Sequence, residues 1–192
     1  GYYASLQCYY TFLDDDRKKE FTEGMVSYLL ENGTVEELKV KNDESKLFGV
    51  EPFIIEGRVN TRKFNGTAGD KVVFKVGELI GRQVEMYSEN ERTLPVEEDY
   101  NRRFNRSIDI ILPAGWSAQN LKDLEIEKYV DLDGVRKLSF KSSYTQEGQT
   151  IKVRVEEYYR SIFVPVDQFE EYRSVINAAA DFSKVTLLLA QD

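Results

Sequence analysis

Apolar residues recur at every second position through most of this chain, the spacing that gathers alternate side chains on one face of a strand. Leu6, Cys8, Tyr10 and Phe12 form the first such set and predict an opening strand. Later sets are Phe53/Ile55, Val72/Phe74/Val76, Ile108/Ile110/Leu112, Leu124/Ile126, Leu138/Phe140 and Ile151/Val153/Val155. Turn dipeptides separate them: Asn32-Gly33, Asn65-Gly66, Gly69-Asp70, Ala114-Gly115, Asp133-Gly134 and Glu147-Gly148. Asp133-Gly134 predicts a tight hairpin, with glycine supplying the positive φ that such a turn needs. Many short strands at this spacing predict antiparallel sheets packed as a sandwich.

Two segments carry helical spacing instead. Over 14–32, Phe21, Met25, Tyr28 and Leu29 share one stripe, Asp14–Asp16 supply a cap and negative charge at the start, and Gly33 stands where a C-terminal cap would. A second helix, over 167–180, follows Pro165; Asp167 and Glu170 have the spacing of a capping box, and Phe169, Tyr172, Ile176 and Ala179/Ala180 form the stripe. A last strand is expected over Lys184–Ala190. The expected class is therefore α+β: mainly an antiparallel β-sandwich with two amphipathic helices. Asn42–Gly49 is a polar seam, which divides the chain into a strand-helix-strand segment, 1–49, and a β-sandwich-like remainder, 50–192.

Composition narrows the chemistry. The 192 residues contain no histidine, which excludes Cys-His and Ser-His-Asp catalysis and histidine-ligated metal within this chain. A net charge of −8 argues against a nucleic-acid surface, whose affinity comes from cations meeting phosphates. The densest basic cluster, Arg102-Arg103-Phe104-Asn105-Arg106, follows Glu97-Glu98-Asp99 and reads as a charged, solvated connection. The longest strongly apolar run, Val185–Ala190, is far too short to cross a bilayer. No secretory signal opens the chain; it starts at Gly1 without methionine, so a targeting segment is expected, if anywhere, upstream.

Candidate reactive groups each have a plainer reading. Cys8, the one cysteine, has no histidine to activate it, and its phase puts it in the core as an inert thiol. Asp14–Asp16 and Asp131-x-Asp133-Gly134 invite calcium, but the second lacks the later acids of a calcium loop; a helix start and a hairpin account for both. Gly66–Lys71 lacks the spacing of a phosphate loop, and the Asn-x-Ser/Thr matches at Asn32, Asn65 and Asn105 read as turns. Neighbouring carboxylates such as Glu97/Glu98, Glu156/Glu157 and Glu170/Glu171 point to opposite faces of a strand and do not form an acid/base pair. A hydrolase using carboxylates alone would need two of them brought into one cleft from separate strands. Tyrosine doublets Tyr2-Tyr3, Tyr9-Tyr10 and Tyr158-Tyr159 must expose one ring each if they lie in strands. No catalytic, cofactor-binding or metal-binding residue is assigned, and no cofactor is expected.

The second half has a distinctive order of signals. Gly77-Glu78-Leu79-Ile80-Gly81 is followed by Arg92-Thr93-Leu94-Pro95-Val96, then by Ile108-Asp109-Ile110-Ile111-Leu112-Pro113-Ala114-Gly115-Trp116, and finally by Tyr172-Arg173-Ser174-Val175-Ile176-Asn177-Ala178-Ala179-Ala180-Asp181-Phe182. Over residues 50–190 this resembles the C-terminal β-rich domain of unknown function that follows the transglutaminase-like core in exported Gram-negative, Bacteroidetes-type bacterial proteins. The resemblance implies that 1–49 links to that upstream core, the chain's partner in the same polypeptide, and that the location is periplasmic or exported. It implies a non-catalytic accessory domain of a transglutaminase-like or cysteine-peptidase protein, assisting core stability or substrate access. The family's catalytic residues belong to the core, and none falls on this chain. The alternative is a carbohydrate- or cell-wall-binding module that uses exposed tyrosines and Trp116.

Overall fold

The computed structural model describes residues 2–27, 29, 30, 33–88, 91–132 and 134–191, with side chains from Ser5 onward. Contacts divide the chain into two compact units, Gly1–Phe64 and Asn65–Asp192. The division falls after the 42–49 seam because the segment beyond that seam pairs back onto the strand before it.

The first unit contains α1 (Tyr2–Thr11), α2 (Asp15–Ser27), β1 (Thr34–Lys41) and β2 (Ile54–Asn60). The opening segment is a helix, not the strand that alternation predicts. Its sequence is apolar at so many positions that period two and period 3.6 both fit, and the buried pair, Gln7 and Tyr10, has the helical spacing. Gln7 donates from Nε2 to the Asn42 carbonyl at 2.7 Å and accepts from the Gly49 amide at 3.3 Å, so a polar residue facing inward holds the loop after β1. Tyr10 packs on Phe21 and Phe53, with ring centroids 5.7 and 5.1 Å apart. Asp14 caps α2 as expected, its Oδ1 accepting from the Arg17 amide at 2.9 Å. The helix ends at Ser27, well short of 32, so Gly33 is not its cap, and its buried residues are Thr22 and Val26 while Met25 is exposed. Tyr28, Asn32 and the expected turn at Asn32 lie outside the described residues, as do the side chains of Tyr2 and Tyr3. β1 and β2 pair antiparallel, Thr34 opposite Asn60 and Lys41 opposite Ile54.

The second unit runs β3 (Asn65–Ala68), β4 (Lys71–Phe74), β5 (Val96–Glu97), β6 (Arg102–Ile111), β7 (Trp116–Ala118), β8 (Glu127–Leu132), β9 (Val135–Glu147), β10 (Thr150–Tyr159), β11 (Phe163–Val164), α3 (Phe169–Ser183) and β12 (Leu187–Gln191). One sheet has the order β6-β10-β9-β8 and another β3-β4-β12-β7, with β5 and β11 forming a short ribbon; every pairing among the described residues is antiparallel. The chain is thus α+β with antiparallel sheets. Both larger sheets and α3 contribute to one core, which includes Phe140, Val153, Phe182 and Leu187. Each such side chain removed from water contributes about 1.5–3 kcal/mol before entropy is counted.

Local corrections follow from packing. The Pro165 segment forms a 3₁₀ turn, Val166–Gln168, before α3, and the Asp167–Glu170 capping box does not form. Val76 and Leu124 lie in 3₁₀ turns rather than strands, and Asn65-Gly66 lies within β3 rather than in a turn. Gly134 takes φ +72° between β8 and β9, consistent with the expected hairpin, although Asp133 lies outside the described residues. Gly77 has a different reason to be glycine: a Cβ there would stand 2.1 Å from the Phe182 carbonyl at the end of α3.

Candidate functional site

The alternation of β6 and β10 sorts chemistry between two faces. Arg102, Phe104 and Arg106 share one side of β6, and their partners on β10 are Tyr159, Glu157 and Val155. This inward side faces a cavity of about 290 Å³ whose lining also includes Tyr172, Ile176 and Ala179 of α3. Residues 80–86 supply a further wall. That segment is fastened to α3 through Asn177, whose Oδ1 accepts from the Met86 amide at 2.8 Å and whose Nδ2 donates to the Met86 carbonyl at 3.0 Å. Tyr87 strengthens the attachment by donating to Asp181 at 2.7 Å.

Two triplets of arginine, glutamate and tyrosine occupy the cavity. Glu157, only 4% exposed, accepts from Arg106 Nη1 at 2.7 Å on Oε2 and from the Tyr159 hydroxyl at 2.9 Å on Oε1. Glu98 accepts on Oε1 from Arg102 Nη2 at 2.5 Å and from the Tyr172 hydroxyl at 3.1 Å. A buried carboxylate is tolerable only when charged and neutral donors surround it in this way. Burial, and then the neighbouring Glu157, push the Tyr159 hydroxyl far above the usual tyrosine range. Burial and Glu98 push Tyr172 up to about 12. Arg102 lies over the Tyr159 ring, 5.4 Å from its centroid, and its Nε is buried with no hydrogen-bond acceptor among the described residues.

The basic cluster 102–106 is therefore a strand with two arginines turned inward, not a solvated connection. The usable signal was the period-two series Arg102, Phe104, Arg106, Ile108, Ile110, which ends in apolar residues and marks one face. Tyr172 is legible only as part of the α3 apolar stripe, and Glu98, four residues before Arg102, carries no face signal because it lies outside any strand. The cavity also brings two carboxylates from separate segments together, the arrangement that a carboxylate hydrolase would need. Here each already holds an arginine and a tyrosine.

The other sequence candidates are dispersed. Cys8 sits half-buried on α1 rather than in the core. Asp14–Asp16 begin α2, and Asp131 pairs with Arg136 at 3.7 Å. Among the described residues no three acidic or thiol ligands gather in a metal-binding group. Gly66–Lys71 spans β3 and its turn into β4. The Glu156/Glu157 and Tyr158/Tyr159 doublets do split across the sheet, Glu157 and Tyr159 inward and Glu156 and Tyr158 outward. On the outward face, register places Tyr158 and Tyr129 on either side of Ser139. A guanidinium already covers each ring, Arg160 at 4.5 Å from one centroid and Arg136 at 3.6 Å from the other. Trp116 is half-buried against the core.

These features define an α+β domain with antiparallel sheets and a partly open cavity that holds two sets of paired charges. Residues 71–189 match the family described as a domain of unknown function with a solved structure, DUF3858, and the chain belongs to that family. All the cavity residues fall within the matched span. No curated protein matches the chain, and no solved structure does. No described helix is long and apolar enough to cross a membrane.

Proposed function

We propose that this chain is a non-catalytic accessory module that accompanies a transglutaminase-like, cysteine-peptidase-type core in the same polypeptide and assists that core's stability or substrate access. The observation that carries the reading is the state of the cavity's ionisable groups. Both oxygens of Glu157 are occupied, Glu98 holds an arginine and a tyrosine, and both hydroxyls keep their protons at neutral pH. Carboxylates held in this way by charged and neutral donors brace a structure and do not transfer protons. With no histidine and a single cysteine in the sequence, no nucleophile–base pair of the usual kind can be assembled from this chain. Exposed Leu94, Ile162 and Phe163, close to the β5–β11 ribbon, suit packing against protein. An exported or periplasmic location accompanies this reading.

The test compares the longer polypeptide with and without this region. Removal is expected to lower the core's Tm or change its preference among glutamine-bearing peptides; a core unchanged in both respects overturns the proposal. Cell-wall binding through Tyr129 and Tyr158 is the second reading, favoured by their shared face and weakened by the arginines over both rings. Cell-wall oligosaccharides that fail to bind the intact polypeptide would remove it.

A further inference from the structure

The cavity's donors and acceptors do not balance. Its lining carries three arginines, Arg82, Arg102 and Arg106, against two glutamates, Glu98 and Glu157. Three of the four glutamate oxygens are occupied: Glu157 holds one donor on each oxygen and Glu98 holds two donors on Oε1. On the donor side, exposed Arg82 makes no hydrogen bond or ion pair among the described residues. Arg102 adds its buried, unmatched Nε. A buried donor without an acceptor costs free energy that an arriving acceptor would recover.

The remaining wall argues about the rest of the ligand. Ile80, Val84, Met86, Phe104, Ile176 and Ala179 line the same space and offer an inorganic anion nothing in exchange for its hydration. An apolar body fits them, and a volume of about 290 Å³ lies at the small end of ligand sites. We propose that this cavity binds a small organic carboxylate bearing an apolar group, with the carboxylate at Arg82 and Arg102 and the apolar group against Val84 and Met86. Arginine suits this role because its planar fork matches a carboxylate in two-point contact. A free acid and the C-terminal carboxylate of a peptide share this chemistry. The inference does not depend on the accessory reading, because it concerns only groups inside the second unit.

The two methionines make a direct test. Met86 lines the cavity and Met25 lies on α2 in the other unit, so methyl-¹³C-methionine labelling gives one reporter and one internal control. Met25→Leu assigns the two signals. Titration with N-acetyl-leucine to about 10 mM is expected to move the Met86 signal saturably while Met25 stays still. Leucinamide, which keeps the side chain and lacks the carboxylate, should produce no saturable shift. Arg82→Ala, at an exposed position with no hydrogen bond or ion pair among the described residues, should leave folding intact and weaken binding about tenfold. A leucine-terminated tetrapeptide and its C-terminal amide distinguish the sources: stronger binding of the peptide acid marks a chain terminus, and weaker binding marks a free acid. Failure of both N-acetyl-leucine and the peptide acid to move Met86 overturns the proposal. So does an equal response to leucinamide, or unchanged affinity in Arg82→Ala.

Discussion

The two faces of the β6–β10 pair are built from the same residues. Arg102-Arg103, Glu156-Glu157 and Tyr158-Tyr159 are doublets, and each gives one member to either side of the sheet. Inward, Arg106 holds Glu157 with side-chain exposures of 20% and 5%, and Tyr159 completes the network. Outward, Arg103 holds Glu156 with exposures of 54% and 47%, and Arg154 holds Asp109 at 2.8 Å. Charges about 4 Å apart interact by roughly 1 kcal/mol in water and by roughly 4 kcal/mol near the effective dielectric of a protein. The difference teaches that an ion pair's importance comes from the solvent removed around it, not from its residue types.

The strongest way to break the comparison is Glu157→Ala. It strands a mostly buried guanidinium and the Tyr159 hydroxyl, and is expected to cost about 3 kcal/mol. By calorimetry the transition of the second unit should fall by about 10 °C; a loss below about 1 kcal/mol would mean that the inward pair is no different from the outward ones. The next effect is a pH dependence. The Tyr172 hydroxyl stands at about 12 in the folded protein, above the usual value near 10, so the unfolded chain releases that proton first as pH rises. Its contribution is complete below about pH 10 and is lost as pH climbs toward 12, a decline of about 2 kcal/mol. Tyr159, raised further by burial, acts in the same direction. Denaturant titrations at stepped pH should show wild type declining more steeply than Tyr172→Phe over that window; parallel curves would contradict the assigned environment. The smallest effect is expected at Arg103→Ala or Glu156→Ala, at most about 0.5 kcal/mol by urea unfolding and smaller still in high salt.

Much of this was legible as pattern. Alternation identified β6, β9 and β10 because their inward residues are apolar at most positions, and the Ile151/Val153/Val155 face is fully buried. Asp14 revealed the start of α2 because a helix leaves its first amides unsatisfied, and a short carboxylate satisfies one of them. Alternation failed for 6–12, where a helix and a strand both fit and Gln7, a polar residue, was chosen for the interior. It was also overruled at 102–106, where local charge suggested solvent while the face periodicity pointed inward.

From the amino-acid order alone came the antiparallel α+β character, the division of Glu156-Glu157 and Tyr158-Tyr159 between two faces and the exclusion of histidine chemistry. All three are local properties: period, adjacency and composition need no knowledge of what lies across the sheet. Tertiary structure alone determined that Glu98, from the loop before β6, and Tyr172, from α3, would meet Arg102, 4 and 70 residues away in sequence. Only packing decides which charge loses its water, and here that turned an unremarkable run of charged residues into a polar cavity.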